Sequence, residues 1–449
     1  MAASFSVFRS RTLLTAAFVA LLAVVLAPQS QAASKAPVQA HQGMVVTSQV
    51  DAARAGREIL AKGGNAVDAA VATAFALSVT QPFSSGLGGG AFVLIRTESG
   101  ETIALDARET APAAAHRDMY IEEGVPERAS VHGPLAVATP GLVRGLALAL
   151  ERWGTLPLAT VMEPAIKLAE DGFTIGPYHA RMVSRVRNFV SPERFPETAR
   201  IQFNDGGPVD VGWRLVQKDL AGTLRAIAEE GPETFYTGPT AKAIVAHVQK
   251  QGGILTLEDF AGYKPVLREA VSGTYRGVDI HSYPPPSSGG VVLLEVLNIL
   301  EGFDLGALGV GSSAGIHLIA ESMKLAFADR AAYMGDSDFI DIPVARLISK
   351  EYAAKQRARL NPPWFKRTPA RWFKGETALK VEGPGLSQDN VGTAHLSVVD
   401  AAGNAVAITK TINTPFGSGI TVPGTGVVLN NEMDDFAIAP DTPNAYGLV

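Results

Sequence analysis

The sequence predicts a layered α/β or α+β domain. Three observations lead there. Helical segments fill the first two thirds of the chain, a strand–turn–strand pattern follows near the end, and 47% of the 449 residues are apolar. That is enough apolar material for a large buried core, and helices need a sheet or other helices to bury against.

Taken in order, Asp51 to Ala61 reads as a helix with Ala55, Ile59 and Leu60 on one side. Gly63-Gly64 suits its C-terminal cap, and Asn65 suits the N-cap of a second helix running to about Val79. That helix is almost all Ala and Val, so it is expected to be buried on most sides before Pro82 ends it. Gly86 to Gly90 leads into an apolar strand, Ala91 to Ile95. No Gly-Lys-Ser/Thr follows and the glycines precede a strand, so close backbone packing is the better reading than phosphate binding.

Gln217 to Glu230 and Thr240 to Gly252 read as amphipathic helices, and Val278 to His281 as a short strand. The strand runs into Pro284-Pro285-Pro286-Ser287-Ser288-Gly289-Gly290, an extended loop because each proline locks φ and removes a donor. Ser312 to Met334 reads as a long helix with Ile316, Ile319, Ala320, Met323 and Phe327 on one face. Asn361 to Glu382 is rich in Pro, Arg and Lys and reads as an exposed loop.

Composition excludes several function classes. Net charge is −5, and no cluster of Lys and Arg provides a nucleic-acid footprint. With no cysteine there is no thiolate metal site and no thiol nucleophile. The eight histidines show no H-E-x-x-H spacing, so no metal centre is expected, and His41, His116 and His317 read as structural or surface residues. At the start, Arg9 and Arg11 precede an apolar run from Thr12 to Leu26, then Pro28 and the small-residue segment Ser30-Gln31-Ala32. This reads as a signal peptide over residues 1–33 and an exported, periplasmic or extracellular product. The run is shorter than the roughly 20 residues of a spanning helix, so no stable membrane span is expected.

The chemistry concentrates near the end. Thr393 to Asp400 alternates as a strand, Ala401-Ala402-Gly403 is a turn, and Asn404 to Thr411 is a second strand. A turn centred near Ala402 pairs Thr393 with Lys410 or Thr411, which brings a second hydroxyl close to the first. His395 is read as structural, pointing away from the face of Thr393's neighbours. A threonine hydroxyl needs a base to become a nucleophile. Were the chain cut before Thr393, its own α-amine would serve. With a pKa of about 7.7–8.0 it is roughly one-third free base at pH 7.5. The pattern alone does not say that the chain is cut.

A resemblance does. Thr393-Ala394-His395-x-Ser397-Val398, Gly403-Asn404-x-Val406-Ala407-x-Thr409-x-Thr411-x-Asn413 and Phe416-Gly417 are similar to the signature of the γ-glutamyltransferase (γ-glutamyltranspeptidase) family. So are Gly63 to Ala70, Gly86 to Gly90, Asp106-Ala107-Arg108-Glu109, Thr139-Pro140-Gly141, the Pro284 to Gly290 loop and Leu429 to Phe436. The resemblance runs from about Gln42 to the last residue. It implies an N-terminal nucleophile hydrolase, a four-layer αββα sandwich. It also implies self-cleavage into a large-subunit region, 34–392, and a small-subunit region, 393–449, that stay together.

It further implies that Thr393 is the nucleophile and that Thr411 bonds to it. Arg108 would grip the substrate's α-carboxylate, Asn413, Glu432 and Asp435 its α-amino end, and Tyr446 would gate the pocket. The substrate would be glutathione or another γ-glutamyl amide, the acceptor water or an amino acid, and no cofactor is implied. Arg suits a planar carboxylate through two parallel bonds, and acidic side chains suit an ammonium. The ordinary alternatives are a surface ion pair for Arg108 and solvated charges for Asp434-Asp435.

The family's small subunit continues beyond the position of Val449, with a Ser-Ser-Met-Ser-Pro segment and a Gly-Gly oxyanion hole. The chain is therefore expected to be a truncated piece, its sandwich incomplete at the C-terminal part and a sheet edge left unpaired. Two rivals stand beside the main reading. One is a cephalosporin (glutaryl) acylase of the same fold, against which Glu432 and Asp435 argue because glutaryl has no ammonium. The other is a catalytically dead exported protein.

Overall fold

The computed structural model describes residues 37–360, 392–436 and 438. Met1–His41 and Gln42–Val449 form separate units, and the described residues of the first hold no helix or strand. The signal-peptide segment, the Asn361 to Glu382 loop and Tyr446 lie outside the described residues.

The elements of the second unit that frame the site are these, in chain order. The strands are β1 (Gly43–Thr47), β2 (Gly90–Arg96), β3 (Thr102–Ala107), β4 (Val266–Arg268), β5 (Val271–Tyr275), β6 (Val278–Ser282), β7 (Thr393–Asp400) and β8 (Ala405–Thr411). The helices are α1 (Val50–Ala61), α2 (Ala66–Thr80), α3 (Leu142–Trp153), α4 (Leu158–Asp171), α5 (Lys218–Glu230), α6 (Pro239–Lys250), α7 (Gly289–Leu300), α8 (Ser313–Tyr333) and α9 (Lys350–Arg359). Six strands form one antiparallel sheet in the order β1-β7-β8-β2-β3-β4. The hairpin β7–β8 therefore lies inside the sheet, and the edges are β1 and β4.

Alternation decides which way this sheet faces. Ala394, Leu396, Val398, Val406 and Ile408 turn to one side and are buried. Against them lies α2, all fifteen residues of which are buried. Burying a side chain such as Phe75, Leu77 or Val79 contributes about 1.5–3 kcal/mol. Asn65 caps α2 by accepting from the N–H groups of Val67 and Asp68, while Asp68 accepts from Asn65 N–H to close a capping box. The hairpin is tied to the same helix end. Asp400 accepts from Ala66 N–H at 2.9 Å and from Ala402 and Asn404 N–H in its own turn.

On the other face, Phe92 of β2 meets Tyr283 just after β6, with ring centroids 4.3 Å apart. The β5–β6 hairpin carries α7 through Val271, Val291 and Leu294, and α7 carries α8 and α9. The order is thus helix, sheet, hairpin, helix, in agreement with the expected αββα layering.

The long helix α8 forms as expected, but its apolar stripe is not its packed face. Ile316, Ile319, Met323 and Phe327 are exposed. The buried side is Leu318, Glu321, Ser322, Leu325 and Ala326, with Leu318 and Leu325 packed among Ile299, Leu300, Ala353 and Leu360.

One buried residue is costly. Lys410 of β8 is 1% exposed and donates to Ala74 O and Ser78 Oγ of α2, each at 2.6 Å. Burial pushes its pKa well down and disfavours the protonated amine in the fold. The unfolded chain takes up a proton there below about pH 10.4. Stability therefore rises with pH from the depressed folded value up to that point. Lys410→Met is expected to stabilise the protein by on the order of 1–3 kcal/mol at pH 7. The gain should shrink toward pH 10, as read by urea unfolding at each pH.

Candidate active site

The sheet register assembles a row of residues across four strands. Thr393 of β7 pairs with Thr411 of β8, and Thr411 pairs with Gly90 of β2. Ala91 pairs with Ala107, so Arg108, the next residue along β3, continues opposite Gly90. Thr393 and Arg108 thus stand three strand spacings apart, about 14 Å between Cα atoms, with their side chains on the face away from α2. Gly90 between them has no side chain. A Cβ there would lie 2.2 Å from Glu109 Oε2, so the gap is required by packing. The neighbouring glycines serve the close approach expected of them. A Cβ on Gly88 would meet Val428 O at 2.3 Å, and one on Gly89 would meet Thr411 O at 2.0 Å.

At one end of the row, the Thr411 hydroxyl holds three groups. It donates to Gly392 O at 2.7 Å and accepts from Asn413 N–H at 2.8 Å. The Thr393 hydroxyl donates to it at 3.4 Å, longer than an ordinary hydroxyl bond. A hydroxyl has one proton to give, and here it polarises the carbonyl of the peptide bond before Thr393. Gly392 fits because a Cβ there would lie 1.7 Å from Asn413 O. Asn413 has a positive φ of 74°, a conformation that Asn tolerates better than most residues. Its Nδ2 donates to Asn431 O, which joins the hairpin to the segment carrying the acids.

At the other end, Arg108 is ringed by carboxylates. It pairs with Glu432, with Asp435 at 3.1 Å and with Glu109 at 3.2 Å. Its backbone is held on both sides, since Arg108 N–H donates to Asp106 Oδ1 and Tyr263 O–H donates to Arg108 O. Glu432 and Asp435 come from one 3-10 turn, Glu432–Asp435. Asn430 anchors that turn through Gly88 O and through both backbone groups of Ala138. Asn431 bonds to Val131 O.

Three carboxylates face one guanidinium, and two of them are buried. Burial pushes the Glu109 carboxyl up to about 7 despite the nearby Arg108. Burial also pushes Glu432 well above the usual range, with Arg108 opposing and Glu109 adding to the rise. A group this rich in acid is suited to receive a cation.

Thr393, Thr411, Arg108, Asn413, Glu432 and Asp435 thus come together around Gly90. Sequence reasoning left Glu109 out of the site, although it follows Arg108 directly. Two readings need correction. His395 does not point away from Thr393's face, because residues two apart on a strand share a face. Its ring bonds to Thr409 Oγ1 at 2.9 Å and Ser397 Oγ at 3.1 Å on that same side. Nor is Asp434 a solvated charge: it is fully buried and accepts from Ser130 O–H at 2.7 Å.

The profile of the family described as Gamma-glutamyltranspeptidase matches residues 52–449. The chain is 45% identical over 415 residues to a "Glutathione hydrolase proenzyme" of Escherichia coli (strain K12), covering 92% of this chain and 70% of that one. It is 42% identical to an "Acylase ACY 1 proenzyme" of Pseudomonas sp. (strain V22), covering 90% and 71%. Among solved structures it is similar to Helicobacter pylori gamma-glutamyltranspeptidase, with a TM-score of 0.69 at 40% identity over 78% of this chain and 100% of that one. It is also similar to cephalosporin acylase from Bacillus halodurans, with a TM-score of 0.78 at 33% identity over 94% and 75%. The chain belongs to the gamma-glutamyltranspeptidase family.

Proposed function

We propose that this chain is a glutathione hydrolase or γ-glutamyltransferase that cuts itself between Gly392 and Thr393 and then uses Thr393 as its nucleophile. One observation carries the reading: the Thr393/Thr411 pair and the Arg108–acid cluster stand at opposite ends of a row whose middle, Gly90, has no side chain. In the first stage the Thr393 hydroxyl attacks the Gly392 carbonyl carbon. The Thr411 hydroxyl, bonded to that carbonyl's oxygen, supports the attack. The C–N bond breaks as the hydroxyl proton passes to the Thr393 nitrogen, the acyl group moves to the Thr393 oxygen, and water opens the ester to free the Gly392 carboxylate and the Thr393 amine and hydroxyl. In the second stage the freed α-amine takes the Thr393 proton as the hydroxyl attacks the γ-amide. The amine of the substrate leaves with that proton, and the γ-glutamyl ester passes to water or to an amino acid.

The acid excess around Arg108 bears on the choice between two kinds of acyl group. A γ-glutamyl group carries a carboxylate for Arg108 and an ammonium for Glu432, Asp435 and Glu109, and a glutaryl group has no ammonium. This favours the γ-glutamyl reading over the acylase reading, although relatives bear both names. The large-subunit region would be 34–392 and the small-subunit region would begin at Thr393. We also propose export, supported by the Arg9/Arg11 and Thr12 to Leu26 pattern. No helix of the described residues is long and apolar enough to cross a membrane.

Thr393→Ala in the full-length precursor should remain one chain and form no acyl-enzyme. Thr393→Ser should cut and react more slowly. N-terminal sequencing of the smaller fragment should read Thr-Ala-His-Leu. A Thr393→Ala protein that still split and still released p-nitroaniline from a γ-glutamyl anilide would end this reading. The second expectation concerns pH. Glu109 loses its proton near pH 7, which adds negative charge beside the bound ammonium. The inhibition constant of L-glutamate should therefore fall as pH rises through 7. In Glu109→Gln that dependence should be flat.

A further inference from the structure

Arg108 has a difficult position. Three carboxylates draw it, and a guanidinium fully spent on them has nothing left for a substrate carboxylate. Its five N–H donors lie in one plane, so the orientation of that plane decides which remain available. On the described residues the acids engage NH1 and NH2, and Nε–H has no acceptor.

Something must hold the plane against the pull of the acids. The guanidinium lies over the ring of Phe92, 5.4 Å from its centroid. That is within the range in which a cation is attracted to an aromatic face. Phe92 pairs with Asp106 on β3 and with Thr409 on β8, two residues along from Gly90 and so on the same face. Its ring is fixed in turn by Tyr283, 4.3 Å away and tilted by 36°. Tyr283 is 9% exposed, and Pro284 follows it directly. The ring that touches Arg108 is therefore held by the sheet on one side and by a buried aromatic on the other.

We propose that Phe92 is a positioning residue for substrate recognition: its ring, fixed by Tyr283, sets the plane of Arg108 and keeps a donor edge free for the α-carboxylate. The inference rests on the reading of Arg108 as the carboxylate grip. Phe92 meets the site through the face it offers to Arg108, so its effect on substrate is carried by Arg108. Its contribution appears only with substrates that carry the carboxylate.

The test uses the self-processed enzyme and two anilides. L-γ-Glutamyl-p-nitroanilide has the carboxylate and the ammonium, while 4-aminobutanoyl-p-nitroanilide keeps the ammonium and lacks the carboxylate. Phe92→Leu should raise KM for the first by about tenfold with kcat within about twofold, the scale expected for a partly desolvated cation–π contact. It should leave kcat/KM for the second within about twofold. Phe92→Tyr, which keeps the ring, should behave as the parent. If Phe92→Leu lowers the yield of folded enzyme, Phe92→Met makes the same comparison with a more adaptable side chain. Equal losses on both anilides, or no loss on either, would overturn the proposal. Arg108→Ala separates the two levels. If it leaves γ-glutamyl KM unchanged, the reading of the site fails. If it raises KM steeply while Phe92→Leu does not, only the role of Phe92 fails.

Discussion

The backbone register of β8 within its sheet is the constraint on which the site depends. β8 pairs with β7 on one side and β2 on the other, and both pairings pass through Thr411. A slip of one residue on either side would turn Thr411 toward α2 and expose Lys410 on the catalytic face. The register is secured from beneath by Ile408 and Val406 in the core and by Lys410 clamped to α2. The residue that weakens the core is thus also one that fixes which face Thr411 occupies. This is a physical reason for a buried amine to persist despite its cost.

Charge shapes the other half of the site. Glu109 and Glu432 are buried beside Arg108, and both have carboxyls raised by loss of water. Such a cluster holds on to protons when empty, since one guanidinium cannot balance three carboxylates. A ligand with its own ammonium relieves the imbalance, and a ligand with a carboxylate alone adds to it. The preference for a zwitterionic end that the proposed function assigns would follow from this count of charges more than from any single contact.

How much of this was legible in the sequence depends on how local each feature is. The β7–β8 hairpin could be read because both strands and the turn lie within twenty residues and Gly403 fixes the turn, and so the partner of Thr393 was within reach. The capped helix α2 was legible for the same reason. Nothing local says that Arg108 stands in the row of Thr393, because β2 and β3 join the sheet from some 300 residues away; only the family signature linked them. Burial was equally hidden. Glu109 and Asp434 look like surface acids in the sequence. On α8 the apolar stripe was visible, but the packed side includes Glu321 and Ser322 instead. His395 was misread through a wrong assignment of faces, although the period-two rule itself was sufficient to place it.

The strand that carries Thr393 is also a late arrival in time. β7 is flanked by β1, whose Thr47 pairs with Leu396, and its turn is fastened by Asp400 to Ala66, 334 positions away in sequence. Contacts of such long range form slowly, because the loop entropy must be met before the contacts give anything back. The close approach of Gly392 to Asn413 and the hydroxyl bridge to Thr411 can therefore exist only once both ends of the chain have come together. A polypeptide still emerging from the ribosome, or folded only in its first half, holds Thr393 as an ordinary residue in an intact chain. On the proposed function, scission is thereby coupled to completion of the fold, and the protein would carry its own record of having folded in the position of one broken peptide bond.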